Sequence, residues 1–130
     1  MPRISAILLI LATLSGCGVK SVTGGTGGTL RVGGEWFSDI QVTIHHVDGS
    51  LTRTLGFGVT DAKGAFKLLK TGARGALWLD PAEYRCTLES AGAPVVIPEE
   101  YARAETTPLK VSLSGKNGLD LEVPTLPASR

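Results

Sequence analysis

Apolar and polar residues alternate one for one in several short runs of this 130-residue chain, and turn-forming residues separate the runs at close intervals. Residues 40–44 are the clearest case: Ile40, Val42 and Ile44 share one face and Gln41 and Thr43 the other. A period of two belongs to an extended strand with one buried face. No apolar stripe at helical spacing lasts long enough to form an amphipathic helix. Strands are expected at 29–32, 40–44, 55–60, 65–69, 83–89, 110–113 and 119–123. Gly56 and Gly58 inside the third suggest a bulge or a close backbone approach. Asp61 and Gly64 occupy the first and fourth places of a type I turn, so the strands on either side are expected to form a hairpin. Asp80-Pro81-Ala82 is a second turn, and the following strand should bury Tyr84, Cys86 and Leu88. Pro94 and Pro98 bracket an irregular crossing that runs through Tyr101 to Thr107. The last two strands are expected to pair as a hairpin around residues 115–118. Seven short strands in roughly a hundred residues indicate an all-β, antiparallel β-sandwich.

The N-terminus differs from the rest. Arg3 precedes an almost unbroken run of Ile, Leu and Ala through Leu14. A run of about 7–15 apolar residues suits a signal-peptide core and falls short of the about 20 that span a bilayer. Leu14-Ser15-Gly16-Cys17 resembles the lipobox of bacterial lipoproteins. That resemblance implies removal of residues 1–16, lipid on the Cys17 sulfur, and residence in the bacterial cell envelope. Gly18 in place of Asp favours the outer membrane over the inner one. Lipidation would also leave Cys86 without a disulfide partner, as a small buried hydrophobe. Loss of Arg3 leaves 12 Lys and Arg against 12 Asp and Glu in the remainder. These charges are scattered, which argues against nucleic acid as a partner because that contact needs a clustered basic footprint.

Residues 17–28 are small, polar and glycine-rich and read as a tether. They lack the Gly-Lys-Ser/Thr ending of a phosphate loop. Residues 29–126 then form the sandwich, with a loose tail at 127–130.

Thr60-Asp61-x-x-Gly64-x-Phe66-x-Leu68, followed by Leu79-Asp80-Pro81-Ala82-Glu83-Tyr84-Arg85-x-x-Leu88, resembles carboxypeptidase regulatory-like domains of the transthyretin-like superfamily. Residues 97–101 and 107–111 also look like small lipoproteins of this kind from Planctomycetes. Ala82 stands where the family usually has Gly. The resemblance covers nearly the whole domain, and its motifs are structural. It implies a seven-stranded Greek-key sandwich that serves as a non-catalytic interaction or structural module. Related hydroxyisourate hydrolases end in Tyr-Arg-Gly-Ser, whereas this chain ends Leu126-Pro127-Ala128-Ser129-Arg130, so that activity is not implied.

The residues that could carry chemistry are few. His45 and His46 are adjacent, and on a strand they point to opposite faces. They cannot share a metal, and His45 is expected to be exposed at a strand end. Asp61 and Asp80 are explained by turns, and Glu99 and Glu100 by a solvated loop. No nucleophile with a credible base is visible, and neither a cofactor nor a metal is expected. Trp36-Phe37, after Gly33-Gly34, is the candidate contact surface for a glycan, a small molecule or a partner's apolar patch, although a Trp36 that plugs one end of the sandwich is the favoured expectation. Trp78, between Leu77 and Leu79, is expected in or beside the core. These features lead to a lipid-anchored, non-catalytic envelope module whose partners are the membrane and an envelope protein. The alternative is a glycan- or small-molecule-binding lipoprotein using the Trp36 loop.

Overall fold

The computed structural model describes residues 25–72, 74–114 and 118–124. The expected signal peptide at 1–16, Cys17, most of the tether and the tail at 127–130 lie outside them. Nine strands form two sheets among the described residues: β1 (Gly27–Val32), β2 (Glu35–Trp36), β3 (Ile40–Asp48), β4 (Leu51–Val59), β5 (Ala65–Lys67), β6 (Leu69–Lys70), β7 (Ala82–Ser90), β8 (Lys110–Leu113) and β9 (Leu119–Val123). The larger sheet runs β6-β4-β3-β7-β8, antiparallel throughout. In the smaller sheet β1 is central. β2 and β5 share one of its edges and β9 lies along the other.

The alternation places the core as expected. Ile40, Val42 and Ile44 of β3 are fully buried, and Tyr84, Cys86 and Leu88 of β7 pack beside them. Leu30 and Val32 from β1, Phe66 from β5, and Leu119, Leu121 and Val123 from β9 face them across the sandwich. The irregular crossing contributes Tyr101, from a 3₁₀ turn at Glu99–Ala102, and Leu109.

Strand partners differ from expectation in two places. The Asp61 turn forms: Gly64 N–H donates to the Asp61 carbonyl at 2.8 Å, and the Asp61 carboxylate accepts from Lys63 and Ala65 N–H. However, β5 does not pair with β4. It pairs with β1 in the other sheet, and the chain returns through Leu68 so that β6 pairs with β4. The two terminal strands do not form a hairpin either. β8 joins β7, whereas β9 crosses to the smaller sheet and lies parallel to β1. A hairpin would have kept both strands in one sheet and left β1 open along that edge. A hairpin that was not expected joins β3 to β4 through Gly49, at φ +65°, and Ser50.

Gly56 and Gly58 sit where backbones meet, as their place inside a strand suggested. A Cβ on Gly56 would collide with the Leu69 carbonyl, and one on Gly58 would lie 2.6 Å from the Lys67 carbonyl. The register also slips beside Gly56, where Leu55 is the extra residue of a bulge opposite Ile44 and His45.

The first strand takes in residues ahead of Thr29. Gly25 is buried, and Gly27 and Gly28 pair with β5 and β9. Glycine is required there for steric reasons: a Cβ on Gly28 would stand 2.6 Å from the Phe66 ring and 2.7 Å from the Leu119 carbonyl. Composition alone suggested a tether because glycine marks both flexible chain and close backbone approach. Gly28→Ala should therefore lower the unfolding free energy by about 1–3 kcal/mol. The urea midpoint measures this, and an unchanged midpoint would place residue 28 outside the fold.

Candidate functional site

Trp36 and Phe37 follow a tight turn. Gly33 and Gly34, at φ +62° and +82°, form the two-residue connection between β1 and β2. Positive φ at both central residues is the geometry that suits a right-twisted hairpin. Trp36 is 47% exposed. Its ring packs over Gly64, where a side chain would collide with it, and the Arg31 guanidinium lies 5.3 Å from the ring centroid. Arg31 in turn reaches Glu122 at 3.5 Å. Phe37 is half-buried against the core, and its carbonyl accepts from the Thr60 hydroxyl at 2.7 Å. The two aromatics thus do not form a shared platform.

Trp78 reverses its expected position. It is 69% exposed, while Leu77 and Leu79 are half-buried against the core. Alternation in an extended segment explains this, since burying both leucines turns the residue between them outward. Thr26 holds the backbone on both sides. Its N–H donates to the Leu77 carbonyl at 2.9 Å, and its hydroxyl accepts from Leu79 N–H at 2.9 Å. Beside Trp78 runs a groove of about 710 Å³ whose walls include Gly27, Gly28, Leu79, Leu113 and Leu119.

His45 is also not the exposed strand-end residue expected. Its ring is half-buried and bridges three strands: Nδ1 lies 3.0 Å from Thr54 Oγ1 on β4, and Nε2 lies 2.9 Å from Thr87 Oγ1 on β7. The bulge at Leu55 brings Thr54 opposite His45, a register that single-strand alternation does not encode. A hydroxyl bonded to an imidazole is half of a nucleophile–base pair. Here Thr87 is buried, and the second ring nitrogen meets a hydroxyl rather than an orienting carboxylate. The arrangement works as a cross-strand brace. His46 tilts against Tyr84 with ring centroids 5.9 Å apart. No group of three potential metal ligands occurs among the described residues.

Other titratable groups are held by structure. Burial pushes the Cys86 thiol up to about 12, which removes its nucleophilic form at neutral pH. Backbone N–H donors from Ala65 and then Lys63 lower the Asp61 carboxyl. The Tyr84 hydroxyl donates to the Asp80 carbonyl and ties down the turn that precedes β7. Glu99 and Glu100 are exposed on the 3₁₀ turn. Among the described residues no helix is long and apolar enough to cross a membrane.

No family model matches the chain, and no curated protein or solved structure matches it at a significant level.

Burial lowers the His45 pKa below its ordinary 6.5, against an opposing pull from Glu105. The unfolded chain therefore binds this proton more readily than the fold does. The stability linked to His45 is complete above 6.5 and is lost as pH falls through that value toward the lower folded pKa. Urea midpoints measured from about pH 7.5 to about pH 5.5 should fall more steeply for the native chain than for His45→Gln. Parallel slopes would remove His45 from the pH response.

Proposed function

We propose that the chain is a lipid-anchored, non-catalytic β-sandwich of the bacterial cell envelope that acts as an interaction or structural module. The observation that carries this reading is Cys17, directly after Leu14-Ser15-Gly16 and behind the apolar run that follows Arg3. Two or more acyl chains hold a protein stably at a membrane where one does not. Attachment at residue 17 would lie ten residues ahead of the start of β1 at Gly27. The finer fold assignment is a seven-stranded Greek-key domain of the transthyretin-like, carboxypeptidase regulatory-like kind. Its support is the turn at Asp61, Gly64 at φ +71°, and the buried Phe66, Leu68, Tyr84 and Leu88 of the shared motif.

An interaction role draws support from the sheet edges. Among the described residues β9 pairs only with β1, which leaves its outer backbone edge open to a strand from an envelope protein. A glycan or small-molecule site at Trp36 is the second reading, favoured by the half-exposed ring. It is the weaker of the two because Gly64 and Arg31 already occupy much of that aromatic surface. Nucleic acid, metal and cofactor play no part in either reading.

The anchor has a direct test. Cys17→Ala should shift the protein from the membrane fraction to the soluble fraction or arrest its processing, as followed by fractionation and intact mass. Unchanged membrane retention with no lipid-sized mass on the native chain would refute the reading.

A further inference from the structure

Trp78, left without a role by the sequence, stands at the pole of the sandwich where the chain enters it. Gly25 N–H donates to the Leu68 carbonyl at 3.0 Å, and Thr26 bonds to the residues on both sides of Trp78. A large aromatic residue held 69% exposed by a fixed backbone is a poor use of apolar area unless something covers it. The groove beside it is lined by half-buried Leu79 and by the edges of the core residues Leu113 and Leu119.

Charge at this pole is also biased. The segment that wraps around Gly25 carries Lys67, Lys70 and Arg74, all exposed, and no acidic residue occurs between Asp61 and Asp80. The acids closest to Trp78 along the chain and the groove are Asp80 and Asp120, and Asp120 is engaged by the Thr29 hydroxyl at 3.4 Å. An exposed tryptophan on a fold that also exposes lysine and arginine in the neighbouring segment suits a membrane interface. The indole sits among headgroups, and lysine and arginine meet anionic phosphates.

The length of the preceding chain selects the occupant. Eight peptide steps separate Cys17 from Gly25, so even full extension keeps Gly25 within about 28 Å of a lipid on Cys17. For each residue further along the fold, its distance from Gly25 adds to that limit. Trp36 pairs with Arg31, roughly 13 Å beyond Gly27 along β1.

We propose that this pole docks on the anionic bilayer surface, with Trp78 seated in the headgroup layer and Lys67, Lys70 and Arg74 against lipid phosphates. The proposal rests on the lipid-anchor reading and adds an orientation to it: the Gly25 pole faces the membrane, and the β1–β2 turn points away from it.

The experiment uses the full lipidated protein in vesicles of phosphatidylethanolamine and phosphatidylglycerol, part of the lipid being brominated near the top of its acyl chains. Trp36→Phe leaves Trp78 as the sole tryptophan, and Trp78→Phe leaves Trp36. Bromolipid should quench Trp78 emission by about twofold and leave Trp36 unchanged. Changing Lys67, Lys70 and Arg74 together to Gln should remove about half of that quenching. Co-flotation with unquenched Trp78 would overturn the docking and leave the anchor standing. Absence of co-flotation would overturn both. Equal quenching of the two tryptophans would overturn the orientation. Protection of Trp78 from acrylamide by soluble cell-wall glycan, without vesicles, would assign the groove to a saccharide and also overturn the proposal. Should Trp36→Phe fail to fold, loss of quenching on going from the native chain to Trp78→Phe reads the same quantity.

Discussion

One backbone junction holds the two sheets together. Leu68 is fully buried where the chain leaves β5 in the smaller sheet and enters β6 in the larger one. Its carbonyl accepts from both Gly25 and Leu77 N–H, and its own N–H donates to the Thr26 carbonyl. Three separate segments are thus tied through the backbone of one buried residue. A buried amide or carbonyl without a partner costs about 1–3 kcal/mol, so these bonds form as a set or leave a penalty behind. The close approach they require explains the glycines around them, since Gly25 and Gly56 abut the Leu77 and Leu69 carbonyls.

That junction also accounts for what single-strand patterns conveyed and what they did not. Alternation along 40–44 and 83–89 named the core-facing residues of β3 and β7, because facing the core is a property of one strand, but it missed the buried Thr87 on the opposite face. The Asp61 turn was legible because its hydrogen bonds are made within five residues. Pairing is a different matter. Whether Ala65–Lys67 returns beside β4 or crosses to β1 depends on the Leu68 junction, which joins residues far apart in sequence. The parallel placement of β9 beside β1 was hidden for the same reason.

The candidate residues divide along a similar line. Trp36 was legible as an aromatic beside a glycine turn, but neither its half-exposure nor the Arg31 guanidinium near its ring was indicated by the sequence. Trp78 was misplaced because two apolar neighbours suggested a buried run. The signal against that was present, since an extended Leu-Trp-Leu cannot bury all three residues on one face. The Thr54–His45–Thr87 brace had no such signal, because it depends on a bulge that shifts one strand against its neighbour.

The pairing of the first strand with the last has a consequence in time. The β1–β9 ladder joins residues 91 apart in sequence, such as Thr29 and Asp120. Contacts of that separation must absorb the entropy of closing nearly the whole domain as a loop, which places such topologies among the slower folders. The smaller sheet has no partner for one edge of β1 until residue 123 is available. A chain emerging N-terminus first, from a ribosome or through a membrane pore, therefore cannot complete its sandwich early. One edge of β1 stays unpaired until the final strand arrives.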